Sequence, residues 1–154
     1  MAERVRASGQ VDPGRRHRII DAALDVIAAQ GVAGTSHRKV AAAAGVPLGS
    51  MTYHFNGMDD LLHEAFSRFA DRAVARFKVR MTQARNPAEA LNAVVDGLVE
   101  DIPGDGLEEQ VVTYELYTLA ARNPAFRDIT ERWMARAREA LQAHFDPLTA
   151  RLLD

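Results

Sequence analysis

Residues 45–55 read GVPLGSMTYHF. An alanine-rich run, Val40 to Ala44, halts at Gly45, the chain turns through Val46 and Pro47, and a short segment with Ser50, Thr52, Tyr53 and His54 follows. That segment is too polar and too short for a core helix and too regular for a loop. Met51 and Phe55 stand four apart, so on a helix they share one face and are the expected anchors. Ser50, Thr52, Tyr53 and His54 are then left outside. Two short helices joined by a tight glycine turn make a helix-turn-helix. Val40, Ala41 and Ala44 on one side and Val46 on the other are small enough for the two to cross closely. The second helix of such a pair projects polar side chains into the major groove of DNA, which accounts for its composition. Gly49 allows the backbone to approach a phosphate or base closely.

Outward from this stretch, the pattern is helical throughout. Ile19, Ile20, Ala23, Leu24, Val26 and Ile27 recur at helical spacing between Arg15 and Gln30, and Gly31 is the expected stop. Thr35 and Ser36 offer a cap for HRKVAAAA, which ends at Gly45, and the third helix, PLGSMTYHF, stops at Asn56-Gly57. A long fourth helix is predicted from Met58 to Gln83, with Leu62, Phe66, Phe69, Ala73 and Phe77 as its buried stripe. Three later helices begin with Asn or Asp followed by Pro, a pairing that caps the turn and spends no useful N–H. Asn86-Pro87 with Glu89 opens a face of Leu91, Val95, Leu98 and Ile102. Asn123-Pro124 opens Phe126, Ile129, Trp133, Ala137 and Leu141, and Asp146-Pro147 opens an eighth helix seven residues before the last residue. A sixth helix spans Asp105 to Arg122, and no stretch alternates as a strand does. The expected fold is all-α: a flexible arm (1–12), a three-helix helix-turn-helix domain (13–57) and a helical bundle joined to it by the long helix (58–154).

Composition narrows the class. The 154 residues are 47% hydrophobic and 26% charged, with no cysteine. Disulfides and thiolate metal sites are thereby excluded, and a reducing cytoplasm is the expected setting. No apolar run approaches the roughly 18–20 residues of a membrane helix, and the first residues lack the apolar core of a secretory signal. The net charge of −2 hides an asymmetry: residues 1–57 carry seven Lys/Arg against four Asp/Glu, and residues 58–154 carry twelve against seventeen. A basic front and an acidic back suit a chain whose front meets a polyanion.

The stretch IIDAALDVIAAQGVAGTSHRKVAAAAGVPLGSMTYHFNGMDDLL resembles the N-terminal domain of the tetracycline-repressor (TetR) family. The residues carrying the resemblance are Gly31, Thr35, Val40-Ala41, Ala44-Gly45-Val46, Gly49, Tyr53, Phe55 and Leu61-Leu62. The resemblance implies a homodimer on a roughly palindromic double-stranded DNA operator, released by a small-molecule effector bound in the C-terminal half. Thr35, His37, Arg38 and Lys39 would position the DNA backbone. Gly49, Ser50 and Thr52 would lie towards base edges and Tyr53 and His54 towards phosphates, with Pro47 and Leu48 completing the DNA-binding set. Arg4, Arg6, Arg15 and Arg16 are further candidates for minor-groove or phosphate contact. The chain departs from the family at Pro47, where many members have Ser, at Thr52, where many have Tyr, and at Met58, where a phosphate-binding Lys is common. Backbone amides of Asn56-Gly57 are the expected substitute for that lysine.

In the C-terminal half, VVTYELYTLAA (111–121) is apolar on every side, with Glu115 its only charge. A helix apolar all round is expected to be buried, and a lone buried carboxylate needs a partner. Glu115 is therefore expected to answer a cationic or hydrogen-bonding effector, to meet a structural group such as Arg80 or Arg122, or simply to be exposed. Phe77, Met81, Tyr114, Tyr117, Trp133 and Met134 are the other candidate effector-binding residues, with plain core as the alternative. The resemblance implies two long closing helices that build the dimer interface; with DPLTARLLD in their place, the expectation is either a shortened chain or dimerisation through the sixth and seventh helices.

Other functions fit less well. Asp60, His63 and Glu64 share a helical face at metal-ligand spacing, but DDLLHEAF is not HExxH and no second cluster completes a site. No nucleophile–base set and no phosphate-binding glycine loop occurs, so neither catalysis nor a cofactor is expected. A helical protein-interaction module and an activator of the same family are the competing readings.

Overall fold

The computed structural model describes residues 14–100 and 106–145, with backbone alone for 97–100, 106 and 107. The helices are α1 (Arg15–Gly34), α2 (His37–Ala43), α3 (Gly49–His54), α4 (Met58–Gln83), α5 (Pro87–Glu100), α6 (Gly106–Arg122) and α7 (Arg127–Gln142), with a 3₁₀ turn at Pro124–Phe126. Among the described residues there is no strand. The arm (1–12), Ile102 and the helix expected after Asp146 lie outside the described residues.

Local chemistry explains the breaks. Gly31 sits at φ 69°, ψ 171°, a region open in practice only to glycine. The expected stop is thus a kink, after which one more turn runs to Gly34. Ser36 is the N-cap of α2 and its side chain accepts from the Lys39 amide, whereas the Thr35 hydroxyl donates 2.8 Å back to the Gly31 carbonyl. Gly45, at φ 63°, makes the turn between α2 and α3. The third helix begins two residues later than expected, because Pro47 and Leu48 form its lead-in turn: their carbonyls accept from Ser50 and Met51.

One hydrophobic cluster runs through the fold. It joins Ile19 and Ile27 of α1, Val40 of α2, Met51 of α3, Leu61 and Phe66 of α4, Leu116 of α6, Phe126, and Ile129 of α7. The core is therefore continuous across residue 57: α6 packs along α1, and α7 along α4. Each such buried side chain contributes about 1.5–3 kcal/mol. Ion pairs stitch the seams. Asp21 of α1 meets Arg68 (3.1 Å) and Arg72 (2.6 Å) of α4, Glu109 meets Arg76 (2.6 Å), and Asp71 meets Arg136. At this exposure each pair is worth about 0.2–1 kcal/mol. They favour register more than stability.

Four predicted faces are redrawn. On α4, Ala73 and Phe77 are only half-buried, and Ala70, Val74 and Met81 take their place. The 26-residue helix is packed by α1 on one flank and α7 on another, so its buried face is broader than one stripe. On α5, which packs on α4, Leu91 and Val95 are exposed and Ala90 is buried among the described side chains, and the side chain of Leu98 lies outside them. The α6 helix buries one stripe, Val112, Leu116 and Ala120, while Tyr114 stands 69% exposed. On α7, Phe126 belongs to the 3₁₀ turn, Ile129 is buried, and Trp133, Ala137 and Leu141 are half-buried towards the helix end.

Candidate nucleic-acid interface

Met51 is fully buried and Phe55 3% exposed, so α3 is anchored through the expected pair. Its opposite side is open. Tyr53 is 73% and Leu48 51% exposed, Pro47, Gly49 and Thr52 are exposed, and His54 is half-buried with its ring edge-on to Tyr53 at 4.8 Å. The Thr52 hydroxyl donates to the Gly49 carbonyl at 3.2 Å, which leaves its lone pairs for an incoming donor. A Cβ added at Gly49 would meet nothing within 4 Å. Nothing inside the protein requires glycine there.

Several expected contacts are placed otherwise. Ser50 is 8% exposed and faces the core beside Met51, so it is not free to meet DNA. Arg38 and Lys39 are exposed on α2, but the Lys39 ammonium donates to the Gly34 carbonyl (2.7 Å) and the Gln30 side chain (2.5 Å). His37 is half-buried with Nε2 turned inward and no partner there. Arg15 is half-buried, and Arg16 pairs with Glu64 and lies 5.1 Å over the Phe55 ring, holding α1 against α3 and α4. Arg4 and Arg6 lie outside the described residues. The Asn56 amide donates to Asp60 Oδ2 at 2.9 Å, so this capping carboxylate takes the place expected for a phosphate. Met58 packs half-buried against the core.

The Asp60, His63 and Glu64 trio separates in the same way. Asp60 caps Asn56, His63 faces Asp128 at 3.4 Å, and Glu64 binds Arg16. Among the described residues no three such side chains gather around a common point.

The effector candidates divide. Tyr117 stacks on Trp133 with ring centres 6.1 Å apart and planes 22° from parallel. Tyr117 and Met134, with Thr130, Glu131, Ala135 and Arg138, line an open groove of about 380 Å³ between α6 and α7. Partial burial raises the Tyr117 phenol above its ordinary pKa by disfavouring the phenolate. Phe77 and Met81 lie further along α4, Tyr114 points outward, and Glu115 serves a backbone amide of α1. Thr130, Glu131 and Arg138 were missed by sequence reading. Their spacing with Met134, three and four apart, is the signal that places them on one helical face.

Residues 19–65 match the profile of bacterial regulatory proteins of the tetR family. The chain belongs to the TetR family. It is 42% identical to SCO1917, a solved TetR-family member from Streptomyces coelicolor, covering 92% of this chain and 81% of that one with a TM-score of 0.72. It is likewise 42% identical to the multidrug binding protein EbrR, solved with ethidium, covering 92% of this chain and 82% of that one at TM-score 0.72. Among curated proteins it is 31% identical to the transcriptional repressor KstR2 of Mycobacterium tuberculosis over 129 residues, 82% of this chain. The chain spans 62% of that relative's length.

Proposed function

We propose that this chain is a sequence-specific transcriptional repressor that binds a palindromic double-stranded DNA operator as a homodimer and is released by a small-molecule effector. The observation that carries the reading is the two-sided build of α3. Met51 and Phe55 are locked in the core while Leu48, Gly49, Thr52 and Tyr53 present an open face. Arg38 stands exposed on the neighbouring α2. Phosphate contacts from such residues set affinity, and base-edge contacts set sequence. Because α4 begins four residues after α3 ends, a shift of α4 would change the spacing of the two readers in a dimer. They must sit about 34–36 Å apart to reach successive major grooves. The protein would work in the cytoplasm, beside the chromosome. Among the described residues no helix is long and apolar enough to cross a membrane.

The groove between α6 and α7 supports an aromatic, cationic effector. Tyr117 and Met134 supply flat and polarizable surface, Glu131 supplies a carboxylate on the same lining as the Arg138 guanidinium, and EbrR is a multidrug binding protein solved with ethidium. Trp133 is the chain's single tryptophan, and it stacks on Tyr117, which lines the groove. Ethidium added without DNA is expected to change Trp133 emission saturably, and Glu131→Gln to weaken that response. On the DNA side, Tyr53→Ala is expected to cut duplex affinity about tenfold or more at fixed salt while leaving the helical circular dichroism unchanged. Equal binding by wild type and Tyr53→Ala would remove α3 as the reader.

A further inference from the structure

We infer that Glu115 is a positioning residue for the DNA reader, acting from α6 on the kink that determines where α2 begins. This inference rests on the reading of α2 and α3 as that reader. The Glu115 carboxylate accepts from the Val32 amide at 3.0 Å, across 83 residues of sequence. A Cβ at Gly31 would fall 2.7 Å from Glu115 Oε1, so the carboxylate lies in space that only glycine leaves open. Gly31 at φ 69°, ψ 171° interrupts α1, and Val32, just beyond the interruption, finds its acceptor on a different helix.

From that point a short relay runs to the DNA-facing surface. The Thr35 amide donates to the Val32 carbonyl (3.0 Å) and the Thr35 hydroxyl to the Gly31 carbonyl (2.8 Å). Ser36 then caps α2, and Lys39 reaches back from α2 to the Gly34 carbonyl. The three residues that follow the kink are therefore bonded at one end to α6 and at the other to the helix that carries Arg38. Burial supports the link, because Val112, Leu116 and Ala120 of α6 belong to the same core cluster as α1. A carboxylate bonded to an amide is a strong, charge-assisted contact, and at a part-buried site it resists exchange with water. Glu115 is thus the polar fastening between the helix lining the groove and the junction feeding the reader.

The test compares wild type, Glu115→Gln and Glu115→Ala in two measurements. The first is hydrogen exchange at the Val32 amide. Exchange is expected to rise at least tenfold in Glu115→Ala and to stay near wild type in Glu115→Gln, whose amide oxygen still accepts, while the Leu62 and Phe66 amides remain unchanged. The second is affinity for a duplex selected by the wild-type chain. A loss of about tenfold is expected for Glu115→Ala, and recovery to within threefold for Glu115→Gln. Unchanged Val32 exchange in Glu115→Ala, or wild-type affinity despite faster exchange, would overturn the inference. If Glu115→Ala does not fold, failure of Glu115→Gln to keep both values near wild type overturns it, and success supports it. If the wild type selects no duplex, the DNA-reader reading fails, whereas the exchange arm still reports on the fastening alone.

Discussion

Gly49→Ala separates what the fold requires from what DNA requires. Gly49 is the first residue of α3, its backbone is not left-handed, and an added Cβ would meet nothing within 4 Å. Alanine in a compatible helical conformation is favoured over glycine by up to about 1 kcal/mol, chiefly through lost freedom in the unfolded chain. At the helix start about half of that is expected, which for a chain of this size raises the melting temperature by roughly 1–2 °C. On DNA the same methyl occupies the space through which the backbone approaches the groove. Loss of one good contact costs about 1–2 kcal/mol per reader, so two readers lose about 2–4 kcal/mol, a roughly thirtyfold to thousandfold drop in affinity. Calorimetric melting and fluorescence anisotropy on a labelled duplex, both at fixed salt, measure the two effects. A variant that is stabilised and binds DNA unchanged would refute the argument that α3 enters the groove by its Gly49 side.

Other expectations follow from single contacts. Met51→Ala removes a fully buried anchor and should cost about 2–5 kcal/mol in urea unfolding, with DNA binding lost as α3 comes loose. Arg38→Ala should reduce the slope of log affinity against log salt by about two for the dimer, roughly one for each phosphate that an Arg38 neutralises; an unchanged slope would remove it from the interface. Glu89 accepts from the Arg85 amide and pairs with the Arg85 side chain, so its carboxyl is held below the ordinary range. A carboxylate depressed on folding stabilises above its unfolded pKa and ceases to do so as pH falls through its folded pKa. The start of α5 should therefore fray only in that acidic window, and a carboxyl-shift NMR titration that gives Glu89 an ordinary or raised pKa would contradict it.

Local signals were legible, and distant ones were not. The Met51/Phe55 anchor and the Asn86 cap with Glu89 depend on residues three or four apart. Asn86 Oδ1 accepts from the Glu89 amide at 2.9 Å, while Glu89 accepts from the Asn86 side chain at 3.1 Å. Leu91 and Val95 read as a buried face because hydropathy does not say which neighbour arrives; α5 meets α4, and Ala90 is buried while those two stay exposed. Ser50 lies next to Met51, and only the crossing of α2 and α3 decides that its short side chain turns inward. Lys39 and Asp60 carry charges suited to DNA or metal, yet backbone groups nearby claim them first. Glu115 was legible as a carboxylate in need of a partner. Its partner is an amide 83 residues away, exposed by the φ of one glycine, and neither fact is written in the local pattern.

Selection of duplexes from a random DNA pool by the purified chain, at one moderate salt concentration, tests the central claim most directly. Enrichment of an inverted repeat, with half-sites about one helical turn apart and abolished by Tyr53→Ala, is the predicted result. No enrichment by a chain that retains its helical circular dichroism would contradict it, and α3 would then be an exposed surface without a DNA partner.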